Sequence, residues 1–384
     1  SGQDGKVLWS IDVGGLLGTP VLASLEEGGN IGIIAGMKDG RLLGLSARDG
    51  KIRWSNPAGI ASQLVAGDVN RDGAQDLVFT GEGRKLRAVT LPDLSPIWIH
   101  EGPIKGGALP VLAPRGDGAG IDLLFPFMSV AHAVDGHNGK LLWTSKHDGI
   151  PAHQVGDVNG DGRPDLAVCC PNLVQLISGK DGSRIHEFAA EVHPLFALGA
   201  IGNVTGDGAP GLVCDMPNGL VRMRSLPSGS LLWSCSTGGK RGATPILLRD
   251  VDDDAVDDIL VTDVNGARQT ALRGDDQRML WCFETDWLQA TAALSDLDRD
   301  GVPDVVTALE GAVVALSGRD GSILWQTKTI GPRTFGAGLA EVDGDGTLDV
   351  VIASSGGNTD QRLYALALGV DQLGAVPFRL RFDR

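Results

Sequence analysis

Tyrosine occurs once in this chain of 384 residues, and aromatic residues make up only 5% of it. No apolar run reaches the roughly 18 residues that a membrane-spanning helix needs, so no span is expected. No basic stripe interrupts an acidic balance of −15, which argues against binding to a phosphate backbone and hence against a nucleic-acid partner. The five cysteines, Cys169, Cys170, Cys214, Cys235 and Cys282, show neither a disulfide framework nor paired C-x-x-C zinc spacing. G-x-S-x-G, H-E-x-x-H and P-loop motifs are missing, and the seven histidines are scattered. The chain starts at Ser1-Gly2 without a signal-peptide pattern, so a processed or excised piece is expected. What is abundant is turn-forming residue: 56 Gly and 19 Pro, in a chain that is still 42% hydrophobic. That combination suits many short strands joined by tight turns around a large core.

A repeat organises these turns. A glycine-bearing turn followed by apolar residues and tryptophan appears as Asp4-Gly5-Lys6-Val7-Leu8-Trp9, Asp49-Gly50-Lys51-Ile52-Arg53-Trp54 and Asn138-Gly139-Lys140-Leu141-Leu142-Trp143. It returns before Trp233 and Trp325, more weakly before Trp98 and Trp281, and once with His186 in place of tryptophan. These eight anchors lie about 45 residues apart, a period typical of stacked supersecondary units. Each unit reads as four short strands; in the second these are Leu64–Ala66, Leu77–Thr80, Leu86–Val89 and Pro96–Ile99. A four-stranded sheet cannot bury both faces alone, and stacking against neighbours does it. Small residues opening the first strands, such as Gly242-Ala243-Thr244 and Gly336-Ala337-Gly338, favour convergence on an axis over a linear solenoid.

The expected fold class is therefore all-β: an eight-bladed β-propeller of four-stranded antiparallel blades, one domain over residues 1–384. The N-terminal strand, which has no partners before it, is expected to complete the last blade and remove the free edge. Residues 377–384, with Phe378-Arg379-Leu380-Arg381-Phe382, read as an extra edge strand or a tether.

A second phrase, D-x-[DN]-x-[DN]-G-x-x-D, lies between the anchors. It is complete at Asp68, Asn70, Asp72 and Asp76; at Asp157, Asn159, Asp161 and Asp165; and at Asp296, Asp298, Asp300 and Asp304. Asp250, Asp252, Asp254 and Asp258 keep the acids but carry Ala255 in place of glycine, and Glu341, Asp343, Asp345 and Asp349 begin with a longer acid. Oxygen donors at alternate positions of a tight turn suit Ca²⁺ and offer no soft donor for zinc or copper. Three to five Ca²⁺ sites are expected. The bland reading is a set of polar β-turns, in which Asp, Asn and Gly are common; repetition in register favours metal. The decayed copy Asn203, Thr205, Asp207 ends at Gly211 and is not expected to bind; Asn203-Val204-Thr205 is also a glycosylation sequon. Extracellular calcium modules bind with Kd of about 10⁻⁴–10⁻³ M, so such sites fill outside the cytoplasm. An extracytoplasmic location is expected: secreted, periplasmic or on an ectodomain.

These loops resemble the FG-GAP repeats of integrin α-subunit propellers. The Gly-x-x-x-Trp phrase is similar to the tryptophan-docking repeats of PQQ-like propellers, which include an outer-membrane assembly scaffold. The resemblance covers essentially the whole chain and implies structural calcium on one rim, with ligands on the opposite face. It thus implies a binding, sensor or scaffold module for a protein or glycan, with His153, Phe196, Arg241, Trp287, Arg333 and Phe335 as candidate ligand-binding residues. The competing reading is an enzyme on the same fold. The vicinal Cys169-Cys170 is similar to the pair that quinoprotein dehydrogenases place against PQQ, and a calcium-assisted polysaccharide lyase is a second option, though only Tyr364 and scattered histidines supply a base. Two Arg-Gly-Asp tripeptides, at 115–117 and 273–275, read as coincidences of a chain rich in Gly and Asp.

Overall fold

The computed structural model describes residues 7–17, 20–25, 31–59, 62–81, 85–100, 102, 110–116, 118, 120–127, 130–147, 153–170, 173–189, 199–216, 219–237, 246–263, 267–286, 288–328, 333–340, 348–355 and 361–366. Among the described residues, frequent Gly and Asp turns separate short strands. The first strand is β1 (Val7–Asp12); β2 (Val21–Ser24), β3 (Ile31–Gly36), β4 (Arg41–Ser46) and β5 (Ile52–Pro57) follow. Then come β6 (Ser62–Gly67), β7 (Asp76–Thr80), β8 (Leu86–Thr90) and β9 (Pro96–His100), and β10 (Val111–Pro114), β11 (Ile121–Phe127), β12 (Val130–Asp135) and β13 (Leu141–Lys146). The middle of the chain holds β14 (His153–Gly156), β15 (Asp165–Cys170), β16 (Leu173–Ile177) and β17 (Arg184–Ala189), then β18 (Ala200–Gly202), β19 (Gly211–Met216), β20 (Leu220–Ser225) and β21 (Leu231–Ser236). The rest comprises β22 (Ile246–Arg249), β23 (Asp258–Asp263), β24 (Arg268–Leu272) and β25 (Met279–Glu284); β26 (Leu288–Ser295), β27 (Asp304–Leu309), β28 (Ala312–Leu316) and β29 (Ile323–Lys328); and β30 (Arg333–Ala340), β31 (Asp349–Ser355) and β32 (Gln361–Leu366).

Four consecutive strands make each of the sheets β2–β5, β6–β9, β10–β13, β14–β17, β18–β21, β22–β25 and β26–β29, while a composite sheet has the order β1-β32-β31-β30. The fold is an all-β propeller of four-stranded antiparallel blades. The expected count of eight needs correcting: seven blades are contiguous, one fewer than the eight repeats, and the remaining repeat is split between the chain's ends. The physical reason is that β1 arrives with no strands before it and satisfies its backbone groups on β32, Ser10 opposite Tyr364 and Ile11 opposite Leu363. Two compact units are distinguished: residues 1–62, 249–273 and 278–384, and residues 63–248 with 274–277.

Burial follows strand position. The second and third strands are buried throughout in the best cases, β7, β23, β27 and β28, whereas fourth strands such as β5 and β21 alternate exposed and half-buried. Second and third strands are therefore apolar runs and fourth strands carry the period of two. Cores form between neighbouring sheets. Val78, Leu86, Ala88 and Trp98 of one blade pack with Leu123, Phe125 and Val134 of the next. Ala133 and Trp143 meet Leu166, Val168 and Ile177 in the same manner.

The tryptophan phrase is the joint between blades. Trp98 donates its indole N–H to Gly136 O at 2.7 Å, Trp143 to Gly179 O at 2.9 Å, and Trp281 to Gly318 O at 2.6 Å. Each indole also lies on the turn glycine of the following blade. A Cβ on Gly182 would sit 2.6 Å from Trp143 Cε3, and one on Gly321 2.8 Å from Trp281 Cδ2. The glycine and the tryptophan of one phrase thus serve different joints, one receiving and one donating. Where His186 holds the tryptophan register opposite Leu176, it is Phe188 that fills the slot, 2.0 Å from a Cβ built on Gly229. Among the described residues no helix is long and apolar enough to cross a membrane.

Candidate metal loops between first and second strands

Each acidic phrase connects the first strand of a blade to the second, and its register repeats. The last acid opens the second strand opposite the residue just before the loop: Asp165 faces Gly156, Asp304 faces Ser295 and Asp349 faces Ala340. Counting the first Asp as position 1, the backbone turns left-handed at two places. Arg71, Gly160, Asp253 and Arg299 at position 4 have φ of 69°, 78°, 65° and 66°. Gly73, Gly162, Ala255 and Gly301 at position 6 have φ of 87°, 79°, 67° and 87°. The motif displays the second requirement as a glycine. The first carries no such mark, because Arg or Asp stands there in three of the four loops.

Position 1 is the hub. Asp68 Oδ1 accepts from the N–H of Arg71 and Asp72 at 2.7 and 3.1 Å, and its Oδ2 from Gly73 N–H at 3.0 Å. Asp157 and Asp250 repeat this set with the residues of their own loops. In the loop starting at Asp296, position 1 is half-buried and positions 3 and 5 are exposed. The oxygens of Asp296, Asp298 and Asp300 fall within 4.8 Å of one another, as do those of Asp250, Asp252 and Asp254. Oxygens sharing one calcium lie at most about twice the Ca–O distance of ~2.3–2.6 Å apart, so both clusters have the right span. Asp296 Oδ1 is buried and has no hydrogen-bond partner among the described residues. A buried orphan oxygen facing two carboxylates suits a hard cation.

Position 9 has a role that the motif alone did not disclose. Asp76, Asp165, Asp258, Asp304 and Asp349 are all essentially inaccessible. The first four accept the position 2 N–H across the loop: Val69 to Asp76 at 3.0 Å, Val158 to Asp165 at 3.0 Å, Val251 to Asp258 at 2.9 Å and Leu297 to Asp304 at 2.6 Å. In two blades the other oxygen takes a turn glycine, Gly179 N–H on Asp165 and Gly318 N–H on Asp304, both 2.9 Å. Those glycines are the ones whose carbonyls receive Trp143 and Trp281. The loop and the tryptophan joint are therefore coupled through one glycine residue. Burial pushes Asp76 and Asp165 up to about 6 and Asp304 up to about 7, against the pull of these N–H donors.

The loops differ in what balances their charge. With Asn at position 3, Asn70 Nδ2 donates to Asp72 Oδ2 at 2.8 Å and Asn159 Nδ2 to Asp161 Oδ2 at 3.4 Å. With Asp at position 3, an arginine approaches. Arg273 reaches Asp254 at 2.6 Å and Asp252 at 3.2 Å, and Arg319 reaches Asp300 at 2.7 Å. In the decayed loop, Asn203 Oδ1 still accepts Gly208 N–H at 3.1 Å, but Gly211 stands at position 9. Met223 fills that space, its Cε 1.8 Å from a Cβ built there. An apolar thioether thus stands where the other loops have the position 9 carboxylate.

Of the other sequence candidates, Glu341, Asp343, Asp345, Phe196, Arg241 and Trp287 lie outside the described residues. His153 is placed in β14 and Arg333 and Phe335 in β30, and their side chains, like those of Cys169 and Cys170 in β15, also lie outside the description. Both Arg-Gly-Asp tripeptides have a committed arginine. Arg115 is held by Asp122 at 2.6 Å and Asp135 at 3.0 Å, and Arg273 by the loop acids above.

With this geometry in view, the comparison with known proteins is informative. The PQQ-type family described as outer membrane protein assembly factor BamB matches residues 1–115 and 127–368. The chain belongs to that family. No curated protein matches the chain by sequence. Among solved structures, the Vibrio cholerae biofilm matrix protein Bap1 is similar at 12% identity and a TM-score of 0.67, over 95% of this chain and 91% of that one. BamB from Moraxella catarrhalis is similar at 13% identity and a TM-score of 0.61, over 96% and 99%. Quinohemoprotein alcohol dehydrogenase ADHIIG from Pseudomonas putida HK5 is similar at 13% identity and a TM-score of 0.59, over 98% and 78%. At such identities the likeness is one of fold.

Proposed function

We propose that this member of the BamB family is an extracytoplasmic, calcium-stabilised propeller that acts as a binding or scaffold module for a protein partner. The observation that carries the reading is the set of in-register acidic loops on a family whose description names outer-membrane protein assembly. Calcium is assigned to the loops starting at Asp68, Asp157 and Asp296; in the last, the orphaned Asp296 Oδ1 and the neighbouring Asp298 and Asp300 would hold it. Its contribution is structural: neutralising carboxylates that burial disfavours and fixing each blade's first two strands. A protein ligand fits the family better than a glycan, and the face away from the metal loops is the proposed site.

The test is a calcium titration of thermal stability, followed by capture of extracytoplasmic partners with and without EDTA. Calcium at about 100 times Kd should stabilise each filled loop by about 2.7 kcal/mol. An unchanged melting temperature at 5–10 mM Ca²⁺, about ten times the weakest Kd expected for such modules, would remove the calcium assignment. A second reading is favoured by one observation, the dehydrogenase among the similar folds together with Cys169-Cys170. Dye reduction on adding PQQ, calcium and alcohols decides it: turnover supports an oxidoreductase, and its absence leaves the scaffold.

A further inference from the structure

Arg273 stands where an ion would have to stand. It opens the turn after β24, and its guanidinium meets the acids of the loop preceding β23. Nε lies 3.1 Å and Nη2 2.6 Å from Asp254 Oδ2, and Nε lies 3.2 Å from Asp252 Oδ2. Positions 3 and 5 of the loop thus share one fork. All three groups are largely withdrawn from solvent, with side-chain exposures of 25% for Arg273, 22% for Asp252 and 19% for Asp254. This differs from a loose surface pair, which is worth little. It also differs from Arg319, which among the described residues pairs with Asp300 of its loop, is half exposed, and leaves Asp296 Oδ1 without a hydrogen-bond partner.

The loops starting at Asp68 and Asp157 show the alternative. Their position 3 is Asn, so the cluster carries one negative charge fewer, and the Asn amide rather than a cation faces position 5. The loop at Asp250 has the extra acid, the arginine, and Ala255 where the others have glycine, yet it keeps the same left-handed turn. Another blade shows the same device. In the shortened loop before β11, Arg115 forks onto Asp122 with Nε at 3.0 Å and Nη2 at 2.6 Å and also reaches Asp135. A guanidinium presents a fixed fork, stays charged at all working pH values and is less strongly hydrated than an ammonium, so it can act as a permanent internal cation. It cannot share the cluster with a divalent ion without like-charge repulsion at contact distance.

We propose that Arg273 is the resident cation of the 250–258 loop, making it a metal-independent clasp beside loops that take calcium. The proposal rests on the calcium reading of those other loops. Bound calcium is counted by equilibrium dialysis for the wild type, D68N, D254N and R273Q, and melting is followed in EDTA and in excess calcium. D254N should bind as many ions as the wild type; loss of one equivalent overturns the clasp. R273Q should melt about 2–4 °C lower in EDTA, gain one equivalent of calcium and recover its melting temperature with the ion. No loss in EDTA, or no added equivalent, overturns it too. D68N separates the two readings, because it loses one equivalent only if calcium fills the other loops. Should the wild type bind none, the calcium reading fails, and the EDTA melts of R273Q, D254N and the double variant still decide the clasp. Non-additive losses uphold it and additive ones overturn it. If R273Q does not fold, R273K keeps the charge without the fork and should show a smaller loss in the same direction.

Discussion

Ala255 holds φ of 67° at a position where the three complete motifs have glycine. A left-handed residue with a Cβ costs about 1–2 kcal/mol, so Ala255→Gly should stabilise the chain by about 1 kcal/mol in chemical denaturation. A neutral or negative change would show that the loop does not hold this turn in solution. The buried position 9 acids yield two more expectations. Asp304→Ala leaves the N–H groups of Leu297 and Gly318 without their acceptor; at ~1–3 kcal/mol for each buried orphan, the loss should be about 3 kcal/mol. Asp76, Asp165 and Asp304 are raised from the ordinary aspartate value of 3.8 to about 6, 6 and 7. Their stabilising contribution is therefore complete below about pH 4 and is lost as pH rises through about 6 to 7. Melts in EDTA should show stability attributable to these groups falling between about pH 4 and 7. Asp304→Asn should flatten that fall, and calcium, which favours the carboxylate, should flatten it as well. An identical slope in the variant would rule out Asp304 as a contributor.

Between sheets, the tryptophan joint makes glycine substitutions unequal. Gly182 and Gly311 have similar φ, 72° and 68°, but Gly182 lies under Trp143 and nothing lies within 4 Å of a Cβ on Gly311. Gly311→Ala should cost only the left-handed penalty of about 1–2 kcal/mol. Gly182→Ala adds overpacking worth about 1–3 kcal/mol. Equal losses in denaturant melts would mean that the indole does not dock as described. The tryptophan phrase was legible as a period in the sequence, and its strands follow it closely. What the period could not show is that a blade's glycine serves the preceding blade's tryptophan. That pairing joins residues about 40 apart, such as Gly139 and Trp98. Phe188 shows the same limit: it lies two residues beyond the anchor register and points to the same face, so it fills the slot that the register assigned to His186.

For the molecule as a whole, the termini and the loops matter most. β1 closes on β32 because its edge would otherwise stay unpaired, which reduces the contiguous blades to seven and makes the last sheet composite. A truncation removing residues 1–12 should therefore destabilise β30–β32 selectively, seen as loss of amide-exchange protection in that sheet while the β14–β17 sheet stays protected. Uniform loss across both sheets would show that the composite sheet is not a separable element. The acidic loops repeat on the same connection in each blade that carries them, so calcium should change the stability of several blades at once.

The order of the residues determined what is local: strand and turn alternation, the 45-residue period, and the spacing of oxygen donors, each carried by side-chain type over a few positions. Tertiary structure decided what depends on partners distant in sequence. Only packing shows that position 9 is sealed in the core by backbone N–H groups, that Met223 takes the place of a missing carboxylate, and that Arg273 meets Asp252 and Asp254. A motif specifies which charges a loop carries. Which cation neutralises them is set by whatever the fold brings alongside.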